Sequence, residues 1–240
     1  MITKNEIKLI GSLHQKKGRN QHLLFIAEGQ KLIAELLDAE YELYQLFETE
    51  SLFEKVSDAN KKNISFEDLK KISCLSTPNN CLAVFKIPVA KPEQDFGLKL
   101  VLDDIRDPGN LGTIIRLCDW FGVADLICSL ETVDVYNPKV VQATMGSLAR
   151  VNVIYGDLES YLNSKTSPIY GTFMDGKTVY QEDLAPEAIL ILGNEANGIS
   201  KNIDKLVTYK IAIPRFGNSQ KTESLNVATA AGIFLSEFRR

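Results

Sequence analysis

Side chains able to do chemistry gather at three points where an apolar run gives way to glycine and polar residues. The stretch "DDIRDPGNLGTIIRLCDWFG", Asp103 to Gly122, sets Asn110 and Arg116 in a glycine-rich turn that opens a helix. In "LILGNEANGIS" the carboxylate of Glu195 lies between Gly193 and Gly198, which admit a close ligand. In "IPRFGNSQKTESLNVATAAGIFLSEF" Ser224 and Asn226 stand at the head of a helix rich in alanine. A glycine-rich turn before a helix raises the question of a bound phosphate. Neither nucleotide motif is present: ahead of Ser200, Ile199 occupies the place of the P-loop lysine, and no strand ends in GxGxxG.

Plainer readings stand beside these. Asn110 can cap the helix through its side-chain oxygen, and Arg116 can pair with Asp119 three residues on. Glu195 can be an ordinary turn carboxylate. Helix capping explains Ser224 or Asn226 but not both. Along the first helix Ile114, Leu117, Cys118 and Phe121 form an apolar stripe, while Thr113, Arg116 and Trp120 share another face. The small residues Ala228, Ala230, Ala231 and Gly232 allow close approach of a neighbouring helix or of a second subunit.

The elements that must position these side chains follow from the apolar pattern. "LKLVLDDI", "DLICSL", "PIYGTFM", "AILILG" and "YKIAIP" are strands separated by helical stretches, which predicts a parallel sheet covered on both faces. Ligands of such sheets bind beyond the carboxyl ends of the strands, where all three polar clusters fall. Before this part lie a helix over Glu6 to Gln15, the strand "LLFIAEG", the helix "QKLIAELL", the strand "YELYQLFET", the helix "SFEDLKKIS" and the strand "CLAVFKI". "PVAKPEQDFG" has linker composition, so the chain divides into a small α/β domain over 1–90 and a larger domain over 97–240.

Composition narrows the function classes. A net charge of -4 argues against a protein that coats nucleic acid unspecifically, yet Lys4, Lys8, Lys16, Lys17 and Arg19 make the first twenty residues basic. Lys16, Lys17 and Arg19 are candidate RNA contacts, or a solvated helix face. Cys74, Cys81, Cys118 and Cys128 form no CxxC pair and lie far from His14 and His22, so no metal site is expected and the thiols are read as buried and reduced. No apolar run of eighteen residues and no leader pattern occurs, which points to the cytoplasm and away from a membrane.

The ordered set "DPGNLGTIIRLCDWFGV", "NPKVVQATMGSLARV", "LILGNEANGIS" and "IPRFGNSQKTESLNVATA" resembles the SpoU/TrmH family of RNA ribose 2′-O-methyltransferases over roughly residues 98 to 240. The N-terminal part, with "LLFIAEGQKLIAELL" and "TPNNCLAVFK", looks like the substrate-binding domain that precedes the catalytic domain in many members. The resemblance implies a SPOUT architecture, a knotted parallel sheet with helices on both faces, S-adenosylmethionine as cofactor, RNA as substrate and a homodimer with the active site near the subunit interface.

Carried over by that resemblance, Asn110, Arg116, Glu195, Ser224 and Asn226 are the catalytic set, with Arg116 also touching RNA. Groups around Leu192, Gly193, Gly198, Ile213 and Leu225 would hold the cofactor. The sequence departs from the family's pattern in the loop from Arg215 to Glu223, which is longer than in many relatives and carries Arg215 and Lys221, and which would add RNA contacts or cover the cofactor differently. Arg116 is expected to orient the hydroxyl and stabilise the developing alkoxide, since a guanidinium stays protonated and is a poor base. Ribosomal RNA is the expected target. A transfer RNA target, methylation of a base, and a noncatalytic RNA-binding role are the alternatives.

Overall fold

The apolar runs assemble into two separate sheets in the computed structural model, which describes residues 1–217 and 224–240. The order begins α1 (Lys4–Leu13), α2 (Lys16–His22), β1 (Leu24–Glu28), α3 (Gln30–Asp38), β2 (Leu43–Glu48), β3 (Lys61–Asn63), α4 (Phe66–Lys70) and β4 (Cys81–Lys86). It continues with β5 (Lys99–Asp103), α5 (Pro108–Phe121), β6 (Asp125–Ser129), α6 (Pro138–Thr144), β7 (Asn152–Gly156), α7 (Leu158–Asn163) and β8 (Ile169–Thr178). The last elements are β9 (Ile189–Gly193), α8 (Lys201–Asp204), β10 (Tyr209–Ala212) and α9 (Val227–Phe238).

Two compact units result: 1–89 with 134–149, and 90–133 with 150–240. The chain passes between them at 89–90, 133–134 and 149–150, where the sequence pattern expects a single crossing. The reason is visible in the first unit. Its four-stranded sheet, ordered β1-β4-β2-β3, buries Leu24, Ile26, Leu82 and Val84 on one face with Ile10, Leu13 and Leu69 of the helices. The alternate residues Phe25 and Phe85 point the other way and stack at 5.8 Å. Tyr136 packs on Phe25 at 4.8 Å, so the segment carrying α6 shields aromatic surface that would otherwise meet water.

The second unit is a six-stranded, wholly parallel sheet in the order β10-β8-β9-β5-β6-β7. Every residue of β5 is buried, as a strand covered on both faces requires. Val101, Ile127, Ile189 and Ile191 face Leu158 and Leu162 of α7 and Ile203 of α8. Their neighbours along the strands point to the opposite face, where α5 and α9 pack together and against β6 and β9. The small residues of α9 thus serve a helix of the same chain: Leu117 of α5 lies 3.6 Å from where a Cβ on Gly232 would sit. Truncating a fully buried leucine here, such as Leu102, would cost about 2–5 kcal/mol.

The stretch 90–97 has linker composition but is pinned to the base of this sheet. Lys99 Nζ donates to the Gln94 carbonyl at 2.5 Å, Gln94 N donates to Asp125 Oδ2 at 3.0 Å, and Lys165 Nζ donates to Glu93 Oε2 at 2.7 Å. These bonds satisfy Lys99 and Asp125, both buried at the amino ends of their strands. Among the described residues no helix is long and apolar enough to cross a membrane.

Candidate active site

Three strand ends carry the polar clusters, and the parallel sheet brings them to one edge. β5 and β9 are neighbours in register, Asp103 opposite Gly193. β10 follows beyond β8. Asp103 Oδ2 accepts from Ser200 N at 2.7 Å, which ties the end of β5 to the loop leaving β9. Asp104 then takes a left-handed conformation (φ 61°), and its amide donates to Ser129 Oγ at 3.0 Å.

The N-cap of α5 is Asp107, whose Oδ1 accepts from Asn110 N at 2.8 Å, with Pro108 at the first helical position. Asn110 is therefore not the cap. Its side chain reaches instead across the sheet edge, where Nδ2 donates to Glu195 Oε1 at 2.7 Å and Oδ1 accepts from Asn226 Nδ2 at 2.8 Å. Asn226 is the N-cap of α9, its Oδ1 accepting from Ala228 N and Thr229 N at 3.0 and 3.2 Å. Helix capping thus fixes Asn226, which fixes Asn110, which fixes Glu195. Ser224 takes no part in capping and lies exposed beside the cavity described below.

Arg116 lies exposed on α5, two turns in, and pairs with nothing among the described residues. The local partner offered by the sequence, Asp119, is taken by Arg150 at 2.9 Å. Trp120, one turn further along the same face, is 83% exposed.

A cavity of about 830 Å³ opens between β8, the loops after β9 and β10, and the start of α9. Leu192, Gly193, Glu195, Gly198, Ile213, Ser224 and Leu225 all line it, so the expected cofactor-binding residues share one wall system. Gly198 has φ 67°, a conformation that a side chain would strain, and it lets the loop close by paired bonds between Asn194 and Gly198 at 2.8 and 3.0 Å. Arg215 also lines the cavity; Lys221, in the loop assigned to RNA or cofactor, lies outside the described residues.

Two contributors are not evident in the sequence pattern. Asn194 donates from Nδ2 to the Asp104 carbonyl at 2.7 Å, and its Oδ1 accepts from Ala196 N and Asn197 N at 2.9 and 3.1 Å. It shapes the Glu195 loop and ties it to β5. Its place directly after the strand glycine, where an Asx turn is favoured, is the signal that could have found it. The residues Thr172 to Asp175 of β8 also line the cavity, and nothing in their spacing announces it.

The candidate RNA contacts in the first unit separate. Lys16 and Lys17 are exposed on α2. Arg19 is 2% exposed and is corrected from a surface contact to a structural one: Nη2 and Nε donate to Asp134 Oδ2 at 2.5 and 2.8 Å, and Nη1 donates to the Leu13 carbonyl at 2.8 Å. A charge so buried needs these partners and cannot also reach a phosphate. Of the cysteines, Cys81, Cys118 and Cys128 are buried, whereas Cys74 is exposed.

Polar residues from three strand ends, gathered at the carboxyl edge of a parallel sheet beside a large cavity, define an α/β protein built to bind a sizeable small molecule. The model of the SpoU rRNA methylase family matches residues 97–236, and that of the MRM3-like substrate binding domain matches residues 4–83. The chain belongs to the SpoU rRNA methylase family. It is 30% identical to the 23S rRNA (guanosine(2553)-2′-O)-methyltransferase RlmP of Bacillus subtilis (strain 168), over 95% of this chain and 93% of that one. A solved structure of a TrmH-family protein from Porphyromonas gingivalis is 39% identical, with a TM-score of 0.90 over 100% of this chain and 98% of its own. The AdoMet-bound rRNA methyltransferase of Sinorhizobium meliloti is 28% identical, with a TM-score of 0.88 over 100% and 95%.

Proposed function

We propose that this chain is an S-adenosylmethionine-dependent methyltransferase acting on a ribose 2′-hydroxyl of ribosomal RNA, with Asn110, Arg116, Glu195, Ser224 and Asn226 as its catalytic set. The observation that carries the assignment is the hydrogen-bonded meeting of Asn110, Glu195 and Asn226 beside the cavity, with Arg116 on the helix of Asn110 and unpaired among the described residues. A catalytic cation is kept free for substrate; a structural one is paired.

The residues present fit the cofactor. Leu192, Ile213 and Leu225 offer aliphatic surface for a flat base, and Gly193 and Gly198 let backbone groups approach it closely. When bound, S-adenosylmethionine supplies a methyl group already activated on a sulfonium. The protein's own part is alignment, which alone is worth several kcal/mol, and help with the hydroxyl's charge. Arg116 holds the hydroxyl and a neighbouring phosphate with its fork of donors and stabilises the alkoxide as it develops. Ser224 offers a hydroxyl at the cavity rim to orient the same ribose. Asn226, through Asn110, holds the Glu195 carboxylate and its loop in place. No metal is required.

The first unit binds RNA through Lys16 and Lys17, which make no ion pair with described residues. The protein acts as a homodimer, a second copy covering the face of α5 that carries Trp120 beside Arg116. Its compartment is the cytoplasm, where its four free thiols stay reduced.

Purified protein given labelled S-adenosylmethionine and ribosomal RNA should transfer label to a position that resists alkaline cleavage, since a 2′-O-methyl removes the nucleophile that cuts the backbone. Arg116→Ala should lose most of this transfer and still bind cofactor. Transfer at the wild-type rate by that variant would overturn the role of Arg116, and an alkali-labile product would move the methyl to a base. Sedimentation of the wild type at half the mass expected for a pair would overturn the dimer.

A further inference from the structure

β8 pairs with β10 only at its two ends. Tyr170 and Gly171 lie opposite Tyr209 and Lys210, and the register then jumps so that Lys177 and Thr178 lie opposite Ile211 and Ala212. Residues 172–176 are left to bulge from the sheet. The bulge is held at both ends. Thr172 Oγ1 donates to the Ile191 carbonyl at 3.1 Å, and Gly176 sits so close to β10 that a Cβ there would lie 2.6 Å from the carbonyl carbon of Ile211. What it presents to the 830 Å³ cavity includes Asp175, exposed and without a hydrogen-bond or ion-pair partner among the described residues.

We propose that Asp175 binds the ribose of the cofactor, its carboxylate accepting from the two vicinal hydroxyls. The inference rests on the reading of the cavity as an S-adenosylmethionine site. Sheet order supports the assignment: β8 lies between β10 and β9, Leu192 is near the end of β9 and Ile213 follows β10. A base resting on both side chains spans the point after Gly171 where β8 leaves the sheet, and its attached sugar is the next group along the bulge. The amino-acid tail and the reacting methyl belong toward Glu195 and α5, on the far side of β9. Two carboxylate oxygens match two adjacent hydroxyls, and a pinned bulge loses little freedom in holding them.

Calorimetric titration of the full-length protein with S-adenosylmethionine, and with 5′-methylthioadenosine, which keeps base and ribose but lacks the amino acid, tests this without relying on turnover. Asp175→Ala should weaken both ligands by a similar factor, about ten-fold, as expected for charge-assisted hydrogen bonds at an open site. Asp175→Asn, which keeps one acceptor oxygen, should weaken them less. The unfolding midpoint should stay put, because the side chain is exposed. Unchanged affinity for both ligands overturns the proposal, as does a loss confined to S-adenosylmethionine, which would place the contact on the amino-acid tail. If the wild type binds neither ligand, it is the cofactor reading itself that fails.

Discussion

Asn110 Nδ2 and Glu195 Oε1 lie 2.7 Å apart although 85 residues separate them in the chain. The bond joins the helix of Arg116 to the loop that lines the cavity, and Asn226 extends it to α9 at 2.8 Å. Its polarity is fixed, amide donating to carboxylate. Asn110→Asp should therefore hurt more than Asn110→Ala, because it sets two carboxylates against each other as well as removing the donor. Methyl transfer should fall by up to about 100-fold, the cost of misplacing reacting groups by roughly an ångström. Adding Glu195→Gln to Asn110→Asp restores a donor across the same gap and should recover part of the cofactor affinity lost by the single change. No recovery in binding would show that the bond does not organise the loop.

Lys16, Lys17 and Arg19 of α2 should behave as two kinds. Arg19→Ala removes one partner of a buried pair and leaves Asp134 uncompensated, so it should cost about 3–5 kcal/mol in denaturant unfolding. Arg19→Lys should not rescue it, since a lysine cannot serve both Asp134 and the Leu13 carbonyl with the same fork of donors. Lys16→Ala and Lys17→Ala should leave stability within about 0.5 kcal/mol and lower the salt dependence of RNA binding by about one charge each. A full salt slope in the lysine variants would remove them from the RNA surface.

What the sequence makes legible is what neighbouring residues decide. The strands β5, β6 and β9 appear as apolar runs because both faces of a parallel sheet are covered there, and β8 and β10 through their buried apolar parts, Ile169 to Gly171 and Ile211 with Ala212. β7 escapes because, at one edge of the sheet and half-buried throughout, it carries only the short apolar run "VIY", and β3 because it is the short polar segment "KKN". The cap of α5 is misjudged by three residues, since Asp107 and Asn110 are equally good acceptors and only the tertiary partners of Asn110 decide between them. The burial of Arg19 depends on Asp134, 115 residues away, and no local pattern carries it. The meeting of Asn110, Glu195 and Asn226 is likewise a property of strand order.

Asn194 offers a separate test of how the cavity loop is shaped. Its side chain makes one donation, to the Asp104 carbonyl, and accepts twice, from Ala196 N and Asn197 N. Asn194→Asp keeps the acceptors, loses the donation and brings a second carboxylate toward Asp104, whose Oδ2 lies 3.5 Å from Nδ2. It should raise KM for S-adenosylmethionine and lower the unfolding midpoint. Asn194→Ala leaves three backbone groups unsatisfied and should cost about 1–3 kcal/mol. If both variants match the wild type in KM, the loop is shaped by its backbone bonds alone.

The clamp on residues 90–97 makes stability depend on pH in a defined direction. Burial pushes the Glu93 carboxyl up, but the bonds from Lys165 Nζ at 2.7 Å and Tyr161 Oη at 2.6 Å, with Lys165 and Lys99 nearby, outweigh it and hold the group below its ordinary value of 4.5. A carboxylate depressed in the folded state stabilises above its unfolded value, and that stabilisation is lost as pH falls through the folded one. Glu93→Gln should therefore lower the unfolding temperature at pH 7, where Lys165 loses its carboxylate partner and Lys99, which pairs with Glu93 at 3.3 Å, keeps Asp125 at 3.6 Å as its carboxylate among the described residues. Below about pH 4.5 the wild type progressively takes up the proton that glutamine mimics, so the difference between the two should narrow. A difference that stays constant from pH 7 to pH 3 would mean that the charge of Glu93 contributes nothing to the clamp.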